Sequence, residues 1–66
     1  MAVAKTVEIV SSSTESIEGA VRDGIAKASE TIQGIQEAWV QGTKAIIRDN
    51  NITEWRVTLK ITFIVS

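Results

Sequence analysis

The chain has no cysteine, no histidine, no proline and no tyrosine. Without cysteine, disulfides and thiolate metal sites are excluded. Without histidine, the commonest metal ligand and the usual general base are missing. No apolar run approaches the ~20 residues that a membrane-spanning helix needs. Met1-Ala2-Val3-Ala4-Lys5 lacks the long apolar stretch of a signal peptide, so a soluble, cytoplasmic protein is expected. There is no excess of either charge: the net charge is −1, with both signs interspersed. That gives no electrostatic footprint for nucleic acid or an anionic membrane. No segment reads as a linker, a low-complexity tract or a repeat, so residues 1–66 form one domain. A domain of this size buries only about 60% of the surface its unfolded chain exposes. With disulfides and thiolate metals excluded, association between copies is the remaining route to stability.

What the sequence does contain is organised around Thr14–Gln33, which reads as one amphipathic helix of about 30 Å. Ile17, Ala20, Val21, Gly24, Ile25, Ala28, Thr31 and Ile32 fall on one stripe at 3.6 residues per turn. Glu18–Arg22 and Asp23–Lys27 are acid-to-base pairs four residues apart. Ser13, or Ser12 with Glu15 as a capping box, marks the start, and Gly34 marks the stop. Gly24, in the middle of the buried stripe, suggests close approach of a strand.

Three strands surround this helix in the order β-α-β-β. Val3–Val10 alternates Val7 and Ile9 with Thr6 and Glu8, and Ser11–Ser13 is expected to turn the chain into the helix. Glu37–Arg48 is the second strand, with a bulge or bend expected at Gly42. Asp49-Asn50-Asn51 is a turn, because Asn and Asp tolerate left-handed backbone. Ile52–Val65 is the third strand and has the cleanest period of two in the chain. Val57, Leu59, Ile61 and Phe63 are expected to pack on the helix, with Ala38, Val40 and Ile46 of the second strand; Leu59 is expected to meet Ile25. Trp55 falls on the same register near the hairpin end. Glu37, Trp39, Gln41, Thr43, Arg56, Thr58 and Lys60 are then sent to the opposite face. A tryptophan among polar groups on a bare sheet face suits an interface or a ligand surface. Long open strand edges, Ile64-Val65-Ser66 among them, also invite pairing between chains.

No catalytic constellation is visible, and no enzyme is expected. Ser11, Ser12 and Ser13 have no histidine to activate them and read as caps. Glu8, Glu37 and Glu54 on strands read as solvated or paired carboxylates. Asp49-Asn50-Asn51 offers oxygen ligands for calcium but lacks the ligand count of an EF-hand loop, so no metal site is assigned.

Taken together, KTVEIV, SSSTESIEGAVRDGIAKASETIQGI and WVQGTKAIIRDNNITEWRVTLKITFIV resemble the dodecin family over nearly the whole chain. The resemblance implies an α+β protomer in which a three-stranded antiparallel sheet wraps around one long helix. It also implies a hollow homododecamer that stores or sequesters riboflavin, FMN or FAD as stacked pairs. In the family, a Trp of the second strand stacks on the isoalloxazine, and a Gln or Arg of the third strand bonds its pyrimidine edge. Here Arg56 matches the third-strand position. The stacking position itself is occupied by Glu37, and the tryptophan lies two residues on, at Trp39. The implied cofactor residues are Trp39, Arg56, Glu37 and Gln41. The alternative is a flavin-free member that is structural, or that binds coenzyme A or a cation.

Overall fold

The computed structural model describes residues 3–65, so Met1, Ala2 and Ser66 of the sequence readings lie outside it. A strand β1 (Val3–Ser13) leads into a helix α1 (Ile17–Ala28); strands β2 (Ile35–Arg48) and β3 (Asn51–Val65) follow. The sheet is antiparallel with order β1-β3-β2. The expected β-α-β-β protomer is therefore present. β3, however, is its central strand and not an edge: Ala4 pairs with Ile64 and Val3 with Val65. The reason lies in its alternation. The strand with the most inward apolar residues gains most from neighbours on both sides, and Val57, Leu59 and Ile61 are the fully buried large side chains.

The helix is shorter than its sequence pattern. It covers 12 residues, about 18 Å, instead of Thr14–Gln33. At the front, Ser11, Ser12 and Ser13 do not turn; they pair with Val57, Arg56 and Trp55. Ladder hydrogen bonds to a long β3 outweigh the turn preference of serine. The cap moves accordingly to Ser16, whose Oγ accepts from the Gly19 N–H at 2.9 Å. Ser13 Oγ accepts from the Glu15 N–H at 3.0 Å and supports the bend before it. At the back, the Ser29 N–H donates to Ile25 O, and the Thr31 and Ile32 N–H groups donate to Ala28 O. Thr31 and Ile32 thus lie past the helix. Gly34, expected as the helix stop, works in the connection instead. Its φ of 77° is left-handed, and its carbonyl accepts from the Ile64 N–H at 3.1 Å. Glu18–Arg22 pairs as expected at 3.4 Å, whereas Lys27 pairs with Glu30 in place of Asp23.

The core is small and close-packed. Ala20 and Gly24 are the buried helix residues, and Val21 and Ala28 flank them. Small residues one turn apart let the helix settle onto the strands. A Cβ built on Gly24 would lie 2.9 Å from Ser11 Cβ and 3.1 Å from Leu59 Cδ1. Leu59 therefore meets Gly24, not Ile25, which is only half-buried. Ile17 also stays about one-third exposed, at 36%.

Bulges set the faces of β2. The register skips Gln36 and Gln41 on β2 and Thr53 on β3. Up to Val40 the alternation follows the expected faces, but Val40 itself, opposite Leu59, stays 42% exposed and does not join the packed core as expected. The skip at Gln41, beside the Gly42 that suggested a bulge, then inverts the alternation: Thr43 opposes the buried Val57, and Ile46 opposes Glu54 on the far side. Thr43 and Ile46 therefore exchange the faces expected of them. The hairpin closes tightly. Asp49 (φ 50°) and Asn50 (φ 65°) are both left-handed, as a two-residue turn of the I′ type requires, and Asn51 already pairs with Arg48.

A 15-residue β3 runs for about 50 Å beside a helix of about 18 Å. The molecule is correspondingly long, 52 × 19 × 13 Å. It exposes 4880 Å², against about 4,100 Å² for a compact monomer of 7.2 kDa.

Candidate ligand-binding face

Residues that pair directly across an antiparallel sheet share a face. The face away from the helix can therefore be read as rows across β1, β3 and β2. Thr6, Thr62 and Glu37 form one row; Glu8, Lys60 and Trp39 the next; Val10, Thr58 and Gly42 the third; Ser12, Arg56 and Lys44 the fourth. The far row ends on Glu54 and Ile46. The Thr6 and Thr62 hydroxyls bond each other at 3.2 Å.

The sequence-derived residues separate along this face. Trp39 is 65% exposed and stands opposite Lys60. Glu37 lies beside it, opposite Thr62 and exposed. Gln41 is the extra residue of the bulge and has no partner on β3. Arg56 opposes Lys44, four residues along β3 from Trp39's partner Lys60, or about 13 Å. Trp39 and Glu37 are thus brought together, and Arg56 is held away from them within one chain.

Arg56 is fixed by its own strand. Its Nε and Nη2 donate to Glu54 Oε2 and Oε1 at 3.1 and 3.4 Å. This hydrogen bonding holds the Glu54 carboxyl below the usual glutamate range; burial opposes the shift, and the Arg56 charge, Ser12 and Arg48 assist it. Sequence reasoning missed Ser12, Lys44 and Glu54. For Lys44 the signal was available: one extra residue beside Gly42 inverts the alternation and turns residues 44 and 46 outward.

A concavity of about 510 Å³ runs between α1 and the edge of β1, bounded by Ile9, Ser11, Gly24 and Lys27 among others. Among the described residues, no three His, Cys, Asp or Glu side chains converge, and no helix is long and apolar enough to cross a membrane.

Comparison with known proteins points one way. The dodecin family model matches residues 3–66. The dodecin of Streptomyces davaonensis superposes with a TM-score of 0.94 at 29% identity, covering 98% of this chain and 96% of that one. A tryptophan-to-phenylalanine variant of the Thermus thermophilus dodecin gives 0.94 at 27% identity, covering 100% and 98%. The Streptomyces coelicolor dodecin gives 0.94 at 26%, covering 98% and 93%. No curated protein matches the sequence. With the strand order, the helix and the family match in agreement along its length, the chain belongs to the dodecin family.

Proposed function

We propose that the chain assembles into a closed homododecamer that holds flavin between subunits, as a store and not as an enzyme. The observation that carries this reading is Trp39, 65% exposed on a sheet face that its own helix does not cover. A ring in that position contributes stacking worth ~0.5–1.5 kcal/mol beyond its buried area. Arg56, about 13 Å off along the strand, serves the pyrimidine edge of a ring held by a neighbouring subunit. Glu37 and Gln41 flank Trp39 along the strand. The surplus of exposed surface over a compact monomer supports assembly. Light scattering on a sizing column should give a single large species; a monodisperse monomer or dimer at micromolar concentration would sink the reading.

Glu37 favours a second reading, because its carboxylate lies beside the ring and loses hydration when a flat ligand covers it. Flavin affinity should therefore be micromolar at best. A flavin-free shell that is structural or takes coenzyme A or a cation is the limiting case. Titration of riboflavin, FMN and FAD fluorescence decides between them. Trp39→Ala should abolish binding, and Glu37→Trp should strengthen it. Tight native binding that survives Trp39→Ala would place the site elsewhere.

A further inference from the structure

The helix-side face of the sheet outruns the helix. α1 begins only at Ile17 and spans about 18 Å, beside a β3 of about 50 Å. Toward the hairpin, the helix-side rows are Ser13, Trp55 and Ala45, then Ile52 and Ile47. Ile47 belongs to this face because it follows the outward Ile46 with no residue skipped on β2, and its cross-strand partner Ile52 shares it. Neither row holds a charged side chain. Trp55 and Ala45 are half-buried, while Ile47 is 55% and Ile52 51% exposed. Polar residues rim the patch at the tip: Arg48, Asp49, Asn50 and Asn51 are all exposed. The two-residue turn leaves no loop to fold back over it. Both ends of the described chain lie at the opposite end of the sheet, where Val3 pairs with Val65.

We propose that this hairpin tip docks, with its helix-side face inward, on the same patch of a second copy of the chain. The inference rests on the reading that the chain assembles, and it names the contact. An aromatic ring beside two large aliphatic side chains, free of charge and rimmed by polar groups, has the make-up of an interface core. The area agrees. The chain exposes about 780 Å² more than a compact monomer, and one partner of a standard interface buries about 800 Å². A patch that meets itself needs no complement elsewhere on the molecule. Paired about a twofold axis, Trp55 of each copy covers Ile47 and Ile52 of the other. The residues sit on paired strands, so docking orders little that is not already ordered. A membrane is the poorer occupant, because Asp49 beside Arg48 leaves the tip without the cationic face that an anionic surface selects.

Light scattering on a sizing column, run on the wild type, Ile47→Glu and Ile52→Glu, tests the contact. Both isoleucines are more than half exposed in the protomer, so each variant should keep the wild-type circular dichroism. Each should also lose the wild-type assembly and elute as a smaller species. Arg22→Glu, on the exposed side of the helix, should leave the size unchanged. The native chain has no cysteine, so Ile52→Cys and Ile47→Cys each supply one thiol per chain. Mild oxidation should link copies through these thiols and not through Arg22→Cys, and this linkage decides the matter if a glutamate variant fails to fold. A large wild type whose glutamate variants keep its size, with no linkage at the tip, would overturn this contact and leave the assembly reading standing. A wild-type dimer that the variants split into monomers would uphold the contact and defeat the dodecamer. A monomeric wild type would overturn both. Wild-type binding to phosphatidylglycerol vesicles that Ile52→Glu abolishes, without linkage between copies, would assign the patch to a membrane and overturn the proposal.

Discussion

Thr58 and Leu59 are neighbours on one strand, yet they live in different surroundings. Leu59 is fully buried against Gly24 of the helix, while Thr58 faces outward between Val10 and Gly42. The helix-side face is small, apolar and tightly filled. The outer face is broad, mixed in charge and uncovered, with Trp39 and Val10 each 65% exposed. One face holds the protomer together, and the other stays uncovered in the protomer.

The sharpest way to break this contrast is to truncate both residues. Leu59→Ala should cost ~2–5 kcal/mol per protomer and dissociate any assembly by unfolding its parts. Thr58→Ala should stay within about 0.5 kcal/mol. Chemical denaturation of the two variants checks this, and exchanged effects would mean that the faces of β3 are reversed.

A smaller effect sharpens the packing argument. Gly24→Ala adds a methyl 2.9 Å from Ser11 Cβ, where overpacking costs ~1–3 kcal/mol; the gain in helix propensity returns about 1. The net outcome should be destabilisation of about 1 kcal/mol, visible as a lower melting temperature. A more stable Gly24→Ala protein would show that the helix does not approach β1 and β3 as closely as described.

The smallest expected effect belongs to the outer face. Glu54 titrates below its ordinary value because Arg56 bonds the carboxylate. Its contribution to stability is fully present above about pH 4.3 and is lost as pH falls through the lower folded-state value. Melting temperature followed from pH 7 to pH 3 should fall slightly more for the native chain than for Arg56→Gln. Parallel curves would mean that the pair is too well solvated to matter.

The inward residues of β3 were legible in the sequence because Val57, Leu59 and Ile61 alternate without interruption and a slip of one residue would expose all three. The placement of Trp39 and Glu37 outward was legible for the same reason, since they precede the Gln41 bulge. The residues beyond it were not: Thr43 and Ile46 changed faces because one unpaired residue inverts the period. The helix ends were also hidden. Thr14–Gln33 keeps a helical pattern at both ends, but Ser11–Ser13 gain more by pairing with Val57, Arg56 and Trp55, and the backbone tightens after Ala28.

By itself, then, the sequence determined the element order, the inward face of the last strand, the tight turn at Asp49-Asn50 and the close contact at Gly24. These follow from local periodicity and from backbone preferences that each residue carries with it. Only the tertiary structure decided that β3 is central, that the helix stops at Ala28, and that Lys44 stands across from Arg56 while Trp39 stands about 13 Å away. Those outcomes depend on register between strands distant in sequence, where a single bulge shifts every later pair and no local pattern records it.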